Sequence, residues 1–155
     1  MSYSDKEQWY RQIIMDHYNL PRNKGLVDSE SYTTVHLKNP SCGDDLKIQI
    51  ELVGDIITDI RYEGSGCAIC CSSASMLTEN VKNKSVQAAE KIISNFSLMI
   101  TGQLGYDEDI LGEAISLQGV AHLPPRIKCA TLGYKALERL LLKSNIDDED
   151  IQEVK

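Results

Sequence analysis

From Leu46 to Tyr62 the chain alternates apolar and polar residues on either side of one tight turn, a pattern that few folds can satisfy. Leu46, Ile48, Ile50 and Leu52 alternate with Lys47, Gln49 and Glu51, the period-two signature of a strand with one buried face. Gly54-Asp55 supplies a two-residue hairpin turn, because glycine takes the positive φ that such a turn needs. On the returning strand Ile56, Thr58, Ile60 and Tyr62 are expected to share one face. Val35 and Leu37 predict an earlier strand closed by Asn39-Pro40, which makes the sheet a three-stranded antiparallel meander.

Helical patterns lie on both sides of the sheet in sequence. Trp9, Ile13 and His17 recur at helical spacing within Asp5 to Asn19, with Tyr10, Ile14 and Tyr18 beside them, and Pro21 and Gly25 end that helix. A short helix is expected from about Ile69 to Lys82, and a longer one from Val86 to Ile100 with Ser85 as its N-cap. Asp107 to Leu117 reads as a connection or short helix, and Pro124-Pro125 as a stiff element ahead of the last helix. That helix is expected from near Ile127 to about Lys143, with Leu137, Leu140 and Leu141 as its apolar stripe. Strands first and helices after predict an α+β fold with the helices packed on one face of the sheet. The 155 residues, 42% of them hydrophobic, fit a single domain over 1–144. The acidic tail over 145–155, with Asp147, Asp148, Glu149 and Asp150, is expected to be flexible.

Lysine and arginine number 16 against 23 aspartate and glutamate, a net charge of −7. That balance argues against nucleic-acid backbones and anionic membrane surfaces, both of which need clustered cations. The first residues are polar and no secretory segment is predicted, so the expected location is cytoplasmic. Thiols stay reduced there, and the odd number of cysteines, five, excludes complete pairing into disulfides.

Three of the five fall at junctions between elements. Cys42 lies in the turn Pro40-Ser41-Cys42-Gly43-Asp44, where Gly43 allows a tight bend that can bring the Cys42 thiol and the Asp44 carboxylate to one side. Cys67 follows Gly64-Ser65-Gly66 and immediately precedes a helix, whose free amides favour a thiolate. Cys129 is expected in the first turn of the last helix. Three thiolates and a carboxylate suit tetrahedral zinc, and Arg126 and Lys128 could offset the surplus negative charge. On residue types and spacing alone, a metal site and a set of ordinary small buried thiols both remain open. Cys70 and Cys71 fall inside the helix after Cys67 and are expected at the core or its edge. Cys67-Ala68-Ile69-Cys70 has CxxC spacing but lacks the βαβ context of a redox site. Asp45 is read as a solvated neighbour of Asp44, His36 as an exposed strand residue, and His17 as a core-edge or surface histidine. His122, seven residues before Cys129, is left outside the ligand set.

The segments Asn39-Pro40-Ser41-Cys42-Gly43-Asp44, Gly64-Ser65-Gly66-Cys67 and Arg126-Ile127-Lys128-Cys129-Ala130-Thr131-Leu132 resemble, in order, the motifs of the U-type iron–sulfur cluster assembly proteins, and the resemblance runs over nearly the whole chain. Lys128 stands where the IscU-type scaffolds carry a histidine, and Gly102 to Gln118 resembles an insertion. Both features are similar to the SufU-type branch, while Leu123-Pro124-Pro125 is closer to the IscU type. The resemblance implies a SufE/IscU-like fold and a zinc ion held by Cys42, Asp44, Cys67 and Cys129. It implies sulfur transfer from the persulfide of a SufS-type, PLP-dependent cysteine desulfurase of the Suf assembly complex, with Cys42 as the attacking thiol once a histidine of the desulfurase has replaced it as ligand. The other role open to the family is a scaffold on which iron, or a transient 2Fe–2S cluster, occupies the same residues.

Overall fold

A computed structural model describes residues 3–143, so the acidic tail lies outside the described residues. Helix α1 (Tyr3–Asn19) leads into strands β1 (Tyr32–Asn39), β2 (Asp44–Val53) and β3 (Ile56–Ser65). Helices α2 (Ala68–Val81) and α3 (Val86–Ile100), the 3-10 segments Glu108–Ile110 and Gly112–His122, and α4 (Pro124–Lys143) complete the order. The sheet runs β1-β2-β3, antiparallel throughout. Its inner face is a ladder of apolar pairs: Val35 opposite Ile48, Leu37 opposite Leu46, Ile48 opposite Tyr62, Ile50 opposite Ile60. All of them are buried under α2 and α4. Directly opposed apolar pairs of this kind each add about 0.2–1 kcal/mol and fix the register.

The returning strand departs from its expected face. Ile57 is fully buried, whereas Ile56 is 37% exposed and Thr58 is half-buried. The register shifts between Glu51 and Leu52, a bulge that inverts the alternation between the turn and the middle of the hairpin. Near the turn Ile57 faces inward opposite Leu52, and beyond the bulge Ile60 does so opposite Ile50.

The helices begin where side chains can satisfy their free amides. The Ser85 hydroxyl accepts from Ala88 N at 3.1 Å and caps α3. Ser85→Ala is therefore expected to lower stability by about 1 kcal/mol. A drop in the denaturant midpoint at constant m-value would register it. Helix α4 starts three residues earlier than the leucine stripe indicates. Pro124 and Pro125 occupy its first turn, where a missing N–H goes unnoticed and the fixed φ is already helical. Cys129 thus lies in the second turn, not the first. In the segment Gly112–His122 the buried residues include Ala114, Leu117 and Val120, every third position. That is the period of a 3-10 helix, and it explains why helical spacing left the region undefined. Gly133 has no Cβ to hold α4 away from its neighbours; one added there would lie 3.5 Å from both Leu46 Cδ2 and Leu77 Cδ2. Among the described residues no helix is long and apolar enough to cross a membrane.

Candidate metal centre

The inner ladder of the sheet ends on a polar rung. Asn39 pairs with Asp44 one step beyond Leu37 and Leu46, so both side chains keep the inward direction of the core residues before them, and each is 2% exposed. The intervening turn is closed by Cys42 N donating to Asn39 O at 3.2 Å, with Gly43 at φ +72°. It leaves Cys42 half-buried at the rim. The end of β3 runs beside Asp44, since Leu46 pairs with Gly64 and Asp45 with Ser65. Gly66 is what permits that approach: a Cβ there would lie 2.5 Å from Asp44 Oδ1.

Asp44 is held at both oxygens. Cys67 N donates to Oδ1 at 3.0 Å and Asn39 Nδ2 to Oδ2 at 3.3 Å. Cys67 is itself the N-cap of α2, with its sulfur accepting from Cys70 N at 3.5 Å. Helix α4 brings down Cys129, 1% exposed, whose sulfur accepts from Asn39 Nδ2 at 3.7 Å. The ligating atoms of Cys42, Asp44 and Cys129 all lie within 4.8 Å of one another. Cys67 is not in that triple, but its side chain bears on Cys129 together with those of Cys42 and Asp44. Burial, and then these three neighbours, push the Cys129 thiol well above its ordinary pKa.

These donors fit a divalent cation. A buried carboxylate and converging thiols crowd one another as anions, and a Zn2+ or Fe2+ ion among them relieves both the repulsion and the burial of charge. Arg126, exposed on the first turn of α4, supplies the nearest compensation. Its guanidinium stands beside Cys129 and in the field of Cys67 and Cys42, which raises its pKa further. Lys128 is exposed. If the cluster binds metal as its geometry indicates, Gly66→Ala should weaken binding by about 10–100-fold through Asp44 alone. Chelator competition on the folded variant measures that loss.

The other candidates take different places. Cys70 is buried in the core beside the centre, and burial raises its thiol pKa, which disfavours the thiolate that a redox CxxC pair needs. Cys71 is half-buried and donates to Gly66 O at 3.8 Å. His36 is not merely exposed: its Nε2 pairs with Asp45 Oδ1 on the opposite face of the sheet. His122 lines a groove with Lys6 and Tyr10 of α1. The sequence reading places Asn39 and Gly66 in their turns but not the parts they play in building the centre. Asn39 had a usable signal, since it continues the Val35, Leu37 alternation and so had to face inward as a buried polar group.

The NifU-like N-terminal domain model matches residues 9–141, and the chain belongs to that family. It is 47% identical over 135 residues, 86% of this chain and 90% of the relative, to the zinc-dependent sulfurtransferase SufU of Bacillus subtilis. It is 36% identical over 159 residues, 100% of this chain and 99% of the relative, to the iron–sulfur cluster assembly scaffold protein IscU of Streptococcus pyogenes. Its fold matches the crystal structure of a putative iron–sulfur cluster assembly scaffold protein for the SUF system from Fervidobacterium islandicum, at a TM-score of 0.76 and 34% identity over 84% of this chain and 94% of that one.

Proposed function

We propose that this chain is a zinc-dependent sulfur acceptor of iron–sulfur cluster assembly, taking persulfide sulfur from a SufS-type cysteine desulfurase onto Cys42. The observation that carries this reading is the unequal burial of the donors. Asp44 and Cys129 are buried, and Cys67 is half-buried between half-buried neighbours at the start of α2, whereas Cys42 stands half-buried on an exposed turn between Ser41 and Gly43. A partner can therefore approach Cys42 from the turn without disturbing the buried pair. Zinc held by Cys42, Asp44, Cys67 and Cys129 would keep these thiols deprotonated near neutral pH.

The chain's own residues do the remainder. Asn39 and the Cys67 amide keep Asp44 oriented whether or not Cys42 is engaged, and Arg126 offsets negative charge at the rim. In the transfer, the Cys42 thiolate attacks the terminal sulfur of the donor's cysteine persulfide. A new S–S bond forms on Cys42, the donor's S–S bond breaks, and the donor's cysteine leaves as thiolate with the electron pair.

The test is to incubate the zinc-loaded protein with a SufS-type desulfurase and cysteine, then locate persulfide by mass spectrometry. One added sulfur on Cys42, absent from Cys42→Ala, is the expected result. A Cys42→Ala variant that still accelerates the desulfurase removes Cys42 as acceptor. The similarity to IscU-named scaffolds keeps a second reading in view. Reconstitution with iron and sulfide that gave a tight, transferable cluster would favour it.

A further inference from the structure

The far end of α2 holds a second cluster with a different chemistry. His17, in the last turn of α1, is 1% exposed. Its Nδ1 is tied to Ser75 Oγ at 2.8 Å, and the same hydroxyl accepts from Arg22 N at 3.0 Å. The imidazole is thereby fixed with Nε2 turned toward a cavity of about 170 Å³ lined by Met76, Glu79, Asn80, Gly112 and Glu113. Glu113 Oε1 stands 2.8 Å from Nε2 and Glu79 Oε1 stands 4.0 Å away. One ligating atom from each of the three lies within 4.8 Å of the others.

We propose that His17, Glu79 and Glu113 form a second divalent-cation site, of imidazole and carboxylate character, which shares no residue with the thiol centre. Three separate elements deliver the donors: α1, α2 and the second 3-10 segment. That segment is located by Asn80 Nδ2 donating to Ile110 O at 3.0 Å, with Gly112 at φ +56° turning the chain so that Glu113 arrives over α2. An imidazole ligand ordinarily has its second ring nitrogen anchored by a hydrogen bond, and Ser75 plays that part.

Charge favours a cation. Asp16, Glu79 and Glu113 face Arg22, whose guanidinium is committed to Asp16 at 2.6 Å and lies 3.7 Å from Glu79. With a neutral imidazole the group carries two surplus negative charges. The glutamates are 47% and 54% exposed, so an ion enters from solvent and water completes its shell. One nitrogen and two carboxylates select Mn2+, Fe2+ or Zn2+ over softer ions. Glu79 follows Cys67 by twelve residues, about 18 Å along the helix, too far for one ion to serve both clusters.

The experiment adds a single equivalent of zinc per chain, which the thiolates take in preference, then titrates Mn2+ and follows free ion by EPR and the His17 ring by NMR. One Mn2+ per chain is expected, with paramagnetic broadening of the His17 ring protons. Glu79→Gln and Glu113→Gln should each weaken Mn2+ binding about tenfold or more while leaving zinc content unchanged. The partly exposed glutamates are varied because replacing buried His17 could unfold the chain. No Mn2+ uptake at about 1 mM would overturn the site, leaving the triad a plain ion-pair tie between elements. Uptake undiminished in both variants, or without His17 broadening, would overturn it equally.

Discussion

Chelating the zinc proposed to sit among Cys42, Asp44, Cys67 and Cys129 should lower the melting temperature by about 8–16 °C. The expectation follows from where the donors sit. Asp44 and Cys42 belong to the start of β2 and the turn before it, Cys67 to the start of α2, and Cys129 to α4. A bound ion therefore joins three elements that otherwise meet at that end of the sheet through packing and a few hydrogen bonds, among them Cys67 N to Asp44 Oδ1. An ion present at a thousand times its dissociation constant stabilises the folded state by about 4.1 kcal/mol. For a chain of this size each kcal/mol moves the midpoint by about 2–4 °C. Calorimetry with and without a zinc chelator measures the difference, and superimposable melting curves would contradict the link between these elements.

Asp44→Asn should act in opposite directions in the two states. In the metal-loaded protein it removes an anionic donor, and affinity should fall about 100-fold or more. In the metal-free protein it removes a carboxylate that is 2% exposed and surrounded by thiols, while keeping an oxygen to accept from Cys67 N. A buried carboxylate with two hydrogen bonds but no cation beside it gains little from its charge, so the metal-free variant should be at least as stable as the metal-free parent. Denaturant titrations of both proteins, each with and without zinc, give the four values needed. A variant less stable than the parent when both lack metal would mean that Asp44 is held by structure and not for a cation.

The contrast between legible and hidden features has physical causes. The hairpin and the Ser85 cap of α3 were visible because each rests on contacts between residues near in sequence. The glycine turn at Gly54 and the serine before Val86 are local signals. The face change at Ile57 was not visible, because a bulge is decided by how two strands register and not by either strand alone. The 3-10 segment reads only as a connection or short helix, because its burial repeats every third residue and not at α-helical spacing. At the centre, the cysteines announced themselves by residue type. The supporting contacts did not: Gly66 matters only because Asp44, 22 residues earlier, comes to lie against it, and nothing in a glycine-rich turn says what will face it. His17 looked like an ordinary core-edge histidine for the same reason. Its partners Ser75, Glu79 and Glu113 are brought to it by tertiary packing.

Asp44 and Asp45 are neighbours with identical chemistry, yet they point to opposite sides of the sheet, one to Cys129 and the other to His36. Nothing in the carboxylates makes that choice. It is made by Leu46, Ile48 and Ile50, which must all be inside, so that parity alone sends Asp44 in with them and Asp45 out. The greasy residues of β2 are thus selectors of an ionic partner they never touch. Inserting a single residue between Asp45 and Leu46 would exchange the two acids while leaving every side chain of the centre present in the chain.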